Sequence, residues 1–219
     1  MTDARTNLPY METLNPEQRD AVEHSAGPLL ILAGAGSGKT RVITTKIAYL
    51  IAEKKIPPES ILAVTFTKKA ANEMRSRAIA LDDRACFAEI RTFHSFGAWF
   101  LRRYAAEANL DPSFTVYDDD DAATLVMKAV PSLRRQQAEL AAHKISLAKD
   151  YCLTPDDDLS AVDSTGDLSA IYRAYEQRLS ETGNADFGDL IMKPVQVMEE
   201  NLAVRERMRF RFRVIMVDE

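Results

Sequence analysis

The stretch Ala33-Gly34-Ala35-Gly36-Ser37-Gly38-Lys39-Thr40 limits what this chain can fold into more than any other. It matches the phosphate-loop pattern, with Ala33 standing where the first glycine is expected. A tight glycine turn aims successive backbone N–H groups inward, where they surround phosphate oxygens. The helix that follows adds the positive end of its dipole. Lys39 then reaches the β- and γ-phosphates as a point charge, and the Thr40 hydroxyl ligates Mg²⁺. A small residue at position 33 still permits the turn. Gly34, Ala35, Gly36, Ser37, Gly38, Lys39, Thr40 and the adjoining Arg41 are the expected nucleotide-binding set. A glycine-rich surface loop has the same composition. Context separates the two, because the motif needs a buried strand before it and a helix after it.

The flanking pattern supplies that context. Residues 28–33 are apolar and short, the signature of a buried strand, and residues 41–53 carry Val42, Ile43, Ile47, Leu50 and Ile51 at helical spacing. Pro57-Pro58 breaks that helix. Residues 60–67 predict a second strand, 68–81 a helix, 89–92 a third strand and 95–109 another helix. Asn15-Pro16-Glu17-Gln18 is a helix start, with Asn15 as cap and Pro16 at the first position. Alternating strands and helices imply α/β architecture, a parallel sheet covered by helices. Residues 110–183 show helical patches, turns and the acidic runs 118–121 and 156–158, but no convincing strand. They are expected to form an inserted helical subdomain, with residues 1–109 and 184–219 making the nucleotide-binding domain. Residues 186–198 are expected to be helical around Pro194.

Residues 212–217 predict a last buried strand, which runs into Asp218-Glu219. In a phosphate-loop fold such an acid holds Mg²⁺ beside the γ-phosphate, a role that falls to Asp218. Glu219 is then placed to polarise the attacking water as general base, so Glu219 and Lys39 are the expected catalytic pair. Any strand can end in acids at a turn, so the pair gains weight only alongside the loop. A strand of a parallel sheet normally feeds a helix, so the chain is expected to be truncated here.

Apolar residues make up 46% and charged residues 28%, enough for a core without disulfide staples. Cys86 and Cys152 lack metal-type spacing and weakly suggest a reducing, cytoplasmic setting. The longest apolar run is far too short to span a bilayer, and the first ten residues do not resemble a signal peptide, so no membrane partner is expected. The net charge of -5 argues against holding nucleic acid by bulk positive charge. It leaves room for a local strip of basic and aromatic residues.

Several motifs in order then resemble one family, the UvrD/Rep/PcrA-type superfamily 1 DNA helicases. Residues 14–22, Leu-Asn-Pro-Glu-Gln-Arg-Asp-Ala-Val, resemble the family's adenine-recognition segment, which implies that Gln18 hydrogen-bonds the adenine edge. Residues 63–74 resemble the motif at the mouth of the single-strand channel. There Phe66 could face a base or the core, with burial favoured for that residue alone, and Thr67 could meet a phosphate. Arg91-Thr92-Phe93-His94-Ser95-Phe96 resembles the Thr-Phe-His-Ser motif lining the DNA path, and Asp186-Phe187-Gly188-Asp189-Leu190 a further segment in which Phe187 touches DNA or packs. No partner ligands at useful spacing make His94 a metal site. In the insertion, Arg134, Arg135, Lys144 and Lys149 could contact phosphates or form a solvated face balanced by acids.

The resemblance implies a RecA-like phosphate-loop NTPase sheet with an inserted helical accessory subdomain, using ATP and Mg²⁺. It implies the N-terminal ATP- and DNA-binding portion of a 3′-to-5′ helicase acting on single-stranded and forked DNA. The C-terminal helicase domains would be needed in cis, and the fragment alone is expected to be inactive. The alternative is a phosphate-loop protein of another class, a kinase or an ATP-dependent assembly module. A GTPase would need a guanine-reading Asn-Lys-x-Asp stretch, which the sequence lacks.

Overall fold

The computed structural model describes residues 8–34, 36–164 and 166–218. Backbone contacts divide the chain into two compact units, Met1–Phe93 with Arg207–Glu219, and His94–Glu206. The expected division at 109/110 and 183/184 followed where strand signals stop, a different criterion from compactness.

The first unit opens with α1 (Pro9–Glu12) and α2 (Pro16–Glu23). Asn15 caps α2 as its sequence predicts: its side chain accepts from the Gln18 N–H, and the Gln18 side chain accepts from the Asn15 N–H. Then come α3 (Lys39–Ala52), β1 (Ile61–Thr65), α4 (Lys68–Leu81) and β2 (Glu89–Thr92). From Phe93 the chain enters α5 (Phe93–Arg103).

The second unit adds β3 (Val116–Tyr117), α6 (Asp119–Ala129), α7 (Arg135–Asp150), α8 (Leu168–Thr182), β4 (Ala185–Asp186) and α9 (Asp189–Glu200). Through α10 (Leu202–Arg211) the chain returns to the first unit and ends on β5 (Val214–Val217).

The first unit's sheet is parallel, in the order β2-β1-β5. All five residues of the central β1 are buried, as a strand covered on both faces requires. Ile47, Leu50 and Ile51 of α3 and Met74 and Ala78 of α4 share a core with Ile61, Ala63, Ile90 and Met216. Val22 of α2 packs with Val42 of α3, alongside Met11 and Leu14.

Two strand expectations need correction. Residues 28–33 form no strand, and Leu30 and Leu32 are 80% and 87% exposed. Apolarity makes a run eligible for burial, but a strand also needs a ladder partner, and none of the described residues pairs with this one. The last strand is shorter than expected and only partly buried. Met216 faces the core, whereas Ile215 and Val217 are exposed on the other face. Among the described residues its ladder reaches β1 alone, so there it is an edge strand with one uncovered face.

In the second unit, Leu125 and Val126 of α6, Ile145 of α7, and Tyr172, Tyr175 and Leu179 of α8 form a separate core. Residues 110–183 are mostly helical, but among the described residues they also hold a short strand: β3 pairs in parallel with β4, Val116 against Ala185 and Tyr117 against Asp186. The acids 118–121 serve the start of α6, where Asp118 and Asp121 make a reciprocal capping box. Helix α5 approaches α9 at Gly97, where an added Cβ would lie 1.7 Å from the Leu190 carbonyl oxygen. No helix among the described residues is long and apolar enough to cross a membrane.

Candidate functional site

The glycine loop closes on itself before α3 begins. The Ser37 N–H donates to the Gly34 carbonyl at 3.3 Å. Gly36 and Gly38 take positive φ of 76° and 89°, the left-handed region that glycine enters without a Cβ penalty. Gly38 is the N-cap of the 14-residue α3 and offers no side-chain cap, so the first-turn N–H groups stay available to an anion. Ala35 lies outside the described residues. Gly34, Gly36, Ser37 and Arg41 are exposed, and Lys39 and Thr40 are half-buried in the first turn of the helix.

Two side chains hold this loop. Lys39 Nζ donates to the Ala33 carbonyl at 3.0 Å and the Gly34 carbonyl at 3.1 Å. Gln18 Nε2 donates to the Ser37 carbonyl at 2.9 Å, while its Oε1 accepts from the Asn15 N–H at 3.2 Å. Both ends of the Gln18 amide are thus engaged. The ammonium rests on neutral carbonyls, weaker partners than the charged oxygens of a phosphate.

Thr40 and Asp218, 178 positions apart in sequence, come together. Thr40 Oγ1 donates to Asp218 Oδ2 at 3.5 Å, long for a hydrogen bond. Asp218 is only 7% exposed. Its N–H donates to the Val64 carbonyl at 2.9 Å, which extends the β5–β1 ladder by one residue and fixes where the carboxylate begins. A hydroxyl and a carboxylate are both hard oxygen donors. Neighbouring ligands of an octahedral Mg²⁺ lie about 3 Å apart, so this pair fits such an ion after a small approach. Glu219, the expected general base, lies outside the described residues.

The aromatic motif residues occupy surfaces of their own units. Phe66, directly after β1, is 61% exposed, so the burial favoured for it is corrected. A strand terminus that turns into a helix leaves its last side chain without a covering layer. The Phe66 ring stands 5.3 Å from that of half-buried Phe93, tilted by 52°. Thr67 caps α4, its side chain accepting from the Ala70 N–H at 3.1 Å. Thr92 is buried at the end of β2. In the second unit, Phe187 is 54% exposed and stacks on half-buried His94, with ring centroids 4.0 Å apart and planes 22° apart. Burial lowers the His94 pKa, with Asp150 opposing.

Three of the four basic residues named in the insertion are paired with acids, while Arg134 is exposed at the N-cap of α7. Lys149 is buried, and Lys144 is paired with Asp163 at 2.7 Å. Arg135 is paired with Asp120 and Glu139, leaving the balanced reading of this face as the one the contacts favour. Sequence reasoning missed the Lys149 cluster. Lys149 Nζ lies 2.6 Å from Glu176, 2.6 Å from Asp186 and 2.8 Å from Asp189. The i, i+3 spacing of Asp186 and Asp189 hinted at a capped turn, but nothing local pointed to a lysine 37 residues earlier.

Residues 14–219 match the family model described as the UvrD/REP helicase N-terminal domain. The chain belongs to that family. It is 39% identical over 234 residues to the ATP-dependent DNA helicase UvrD1 of Mycobacterium tuberculosis, a match covering 100% of this chain and 30% of the relative. It is also 38% identical over 213 residues to the ATP-dependent DNA helicase PcrA of Staphylococcus aureus, covering 94% of this chain and 29% of the relative. The chain therefore spans about 30% of the length of these UvrD/REP relatives. The α/β fold with its parallel sheet is consistent with a RecA-like UvrD/REP N-terminal domain.

Proposed function

We propose that this chain supplies the ATP- and DNA-binding portion of a 3′-to-5′ DNA helicase or translocase. The meeting of Thr40 with Asp218 at 3.5 Å carries this reading. A hydroxyl and a carboxylate suited to Mg²⁺ beside a glycine loop and the N-terminus of a 14-residue helix support it. In this reading Gly34, Ala35, Gly36, Ser37 and Gly38 wrap the phosphates with backbone N–H groups. Lys39 exchanges its loop carbonyls for phosphate oxygens, and Arg41 stands at the rim. Gln18 releases Ser37 to read the adenine edge, and Glu219 orients the attacking water. Thr40 and Asp218 would hold the Mg²⁺, which supplies charge neutralisation at the phosphates when bound.

Phe66, Phe93 and Phe187 present rings suited to stacking on single-stranded bases, and Thr67 and His94 are suited to polar contacts. Thr92 acts from beneath, as a buried neighbour of Phe93. Forked DNA as substrate, a cytoplasmic location and the polarity of movement belong to the same reading.

Titrating the 219-residue chain with a fluorescent ATP analogue tests the nucleotide site. Binding should require Mg²⁺. It should weaken by about tenfold or more in Lys39→Ala, the scale of a lost hydrogen bond between charged groups. Asp218→Asn should abolish the Mg²⁺ dependence. Binding indifferent to EDTA and to both substitutions would overturn the reading. The same chain should hydrolyse ATP negligibly even with single-stranded DNA, because an arginine finger from a second lobe is worth about 10³–10⁵ in rate. Robust DNA-stimulated turnover by this chain alone would refute that part.

A further inference from the structure

We propose that Lys149 is a positioning residue: from beneath the Asp186–Asp189 turn it fixes Phe187 in its stack on His94. Each carboxylate of the turn divides its two oxygens between two tasks. Asp186 Oδ1 accepts from the Asp189 N–H at 2.8 Å, and Asp189 Oδ2 accepts from the Asp186 N–H at 3.2 Å. These two bonds close the turn from both ends. The other oxygens, Asp186 Oδ2 and Asp189 Oδ1, accept from Lys149 Nζ at 2.6 and 2.8 Å. Tyr175 donates its hydroxyl to Asp186 Oδ2 at 2.8 Å. One ammonium thus sets the torsion of both carboxylates, and the carboxylates set the backbone that projects Phe187.

Gly188 shows how closely the lysine is fitted. A Cβ at that position would lie 2.8 Å from Lys149 Cβ and 3.0 Å from Lys149 Cδ. The aliphatic stem of the lysine therefore runs directly under the turn, where a side chain would otherwise sit. The ring of the preceding residue lies against His94.

A cation site is the competing interpretation of this cluster. Carboxylate oxygens of Glu176, Asp186 and Asp189 lie within 4.8 Å of one another. Lys149 Nζ, fully buried, already sits within 2.8 Å of all three, so the positive charge is supplied by the chain itself. Burial opposes that charge, but the three carboxylates outweigh it and hold the ammonium well above its ordinary pKa. Buried ion clusters of this kind add little stability over a well-packed apolar core. What they add here is a single geometry for a turn that carries an exposed aromatic ring.

The functional consequence rests on the reading of Phe187 as a base-contacting ring, whereas the positioning itself does not. Proton NMR of the full chain separates the two. In Lys149→Met the His94–Phe187 cross-peaks should disappear, and the His94 imidazole should titrate at higher pH, toward its ordinary 6.5, as the covering ring leaves. Core signals from Ile145 and Leu179 report whether the unit is still folded.

Gly188→Ala retains every charge but displaces the lysine stem, so it decides the matter if Lys149→Met fails to fold. A folded variant of either kind with unchanged cross-peaks and an unchanged His94 titration overturns the proposal. Oligo(dT) affinity should fall at least about fivefold in both variants, the lower end of a lost base stack, with no further loss when Phe187→Ala is added. Altered NMR signals with unaltered affinity would support the positioning and sink the base-contact reading instead.

Discussion

Glu176 illustrates how a single half-buried group can work against the unit that holds it. Its Oε1 lies 2.6 Å from Lys149 Nζ, yet outside hydrogen-bond alignment. Burial pushes its carboxyl above the ordinary 4.5, and the pull of Lys149 does not cancel that push. A proton held more tightly in the folded chain than in the unfolded one favours folding while it is bound. That contribution is complete below 4.5 and is lost as pH rises through the raised value. Asp186 has the opposite sign. Although burial raises it, Lys149 and the turn N–H hold it below its ordinary 3.8, so its contribution is lost as pH falls. Glu176→Gln stays neutral at every pH. It should therefore raise the urea midpoint of unfolding at neutral pH, with the gain shrinking to nothing as pH approaches about 4. A midpoint lowered at neutral pH would mean that the Lys149 contact outweighs the burial cost.

At the scale of elements, close approach matters more than propensity. Gly97 lies where α5 meets the backbone of α9, and a Cβ there would fall 1.7 Å from the Leu190 oxygen. No rotamer change relieves a collision between two backbones, so Gly97→Ala should cost about 1–3 kcal/mol or more, measured as a shift in the denaturation midpoint. A shift below about 0.5 kcal/mol, typical of a surface site, would show that the helices separate freely.

The same contrast explains which elements were legible in the sequence. Helices α3 and α4 and strands β1 and β2 announced themselves through periodicity, capping and breakers, all local signals. Residues 28–33 misled because their composition is that of a strand, while strandhood depends on a partner. Strands β3 and β4 are two residues each and carry no periodicity at all. In the site, the glycine turn and the helix it opens were legible from Gly34 to Thr40 because spacing defines that pattern. That Thr40 reaches Asp218 was inferred only through the motif pair, and the Lys149 cluster could not be inferred, since its members join three helices and a turn.

For the molecule as a whole, the first unit exposes apolar side chains along residues 29–32 and on β5, beside the separate rings of Phe66, Phe87 and Phe210. Residues 28–33 place Leu29, Leu30, Ile31 and Leu32 in exposed positions without ladder partners. The edge strand β5 turns Ile215 and Val217 outward, and no described residue pairs with its far side. Unpaired strand edges and contiguous apolar patches are the features through which separate chains associate. The net charge of -5 opposes association weakly, because charges farther apart than about 8 Å are screened at physiological salt. Sedimentation velocity should therefore show the average sedimentation coefficient rising with concentration over about 1–100 µM, well within reach of contacts worth a few kcal/mol. Leu30→Lys with Leu32→Lys removes the first patch, and Ile215→Lys charges the strand edge. Each change should move the distribution toward monomer, and the two together should do so further than either alone. A parent chain that sediments as a monomer throughout that range would show that these surfaces are individually too small, or too well solvated, to hold two copies together.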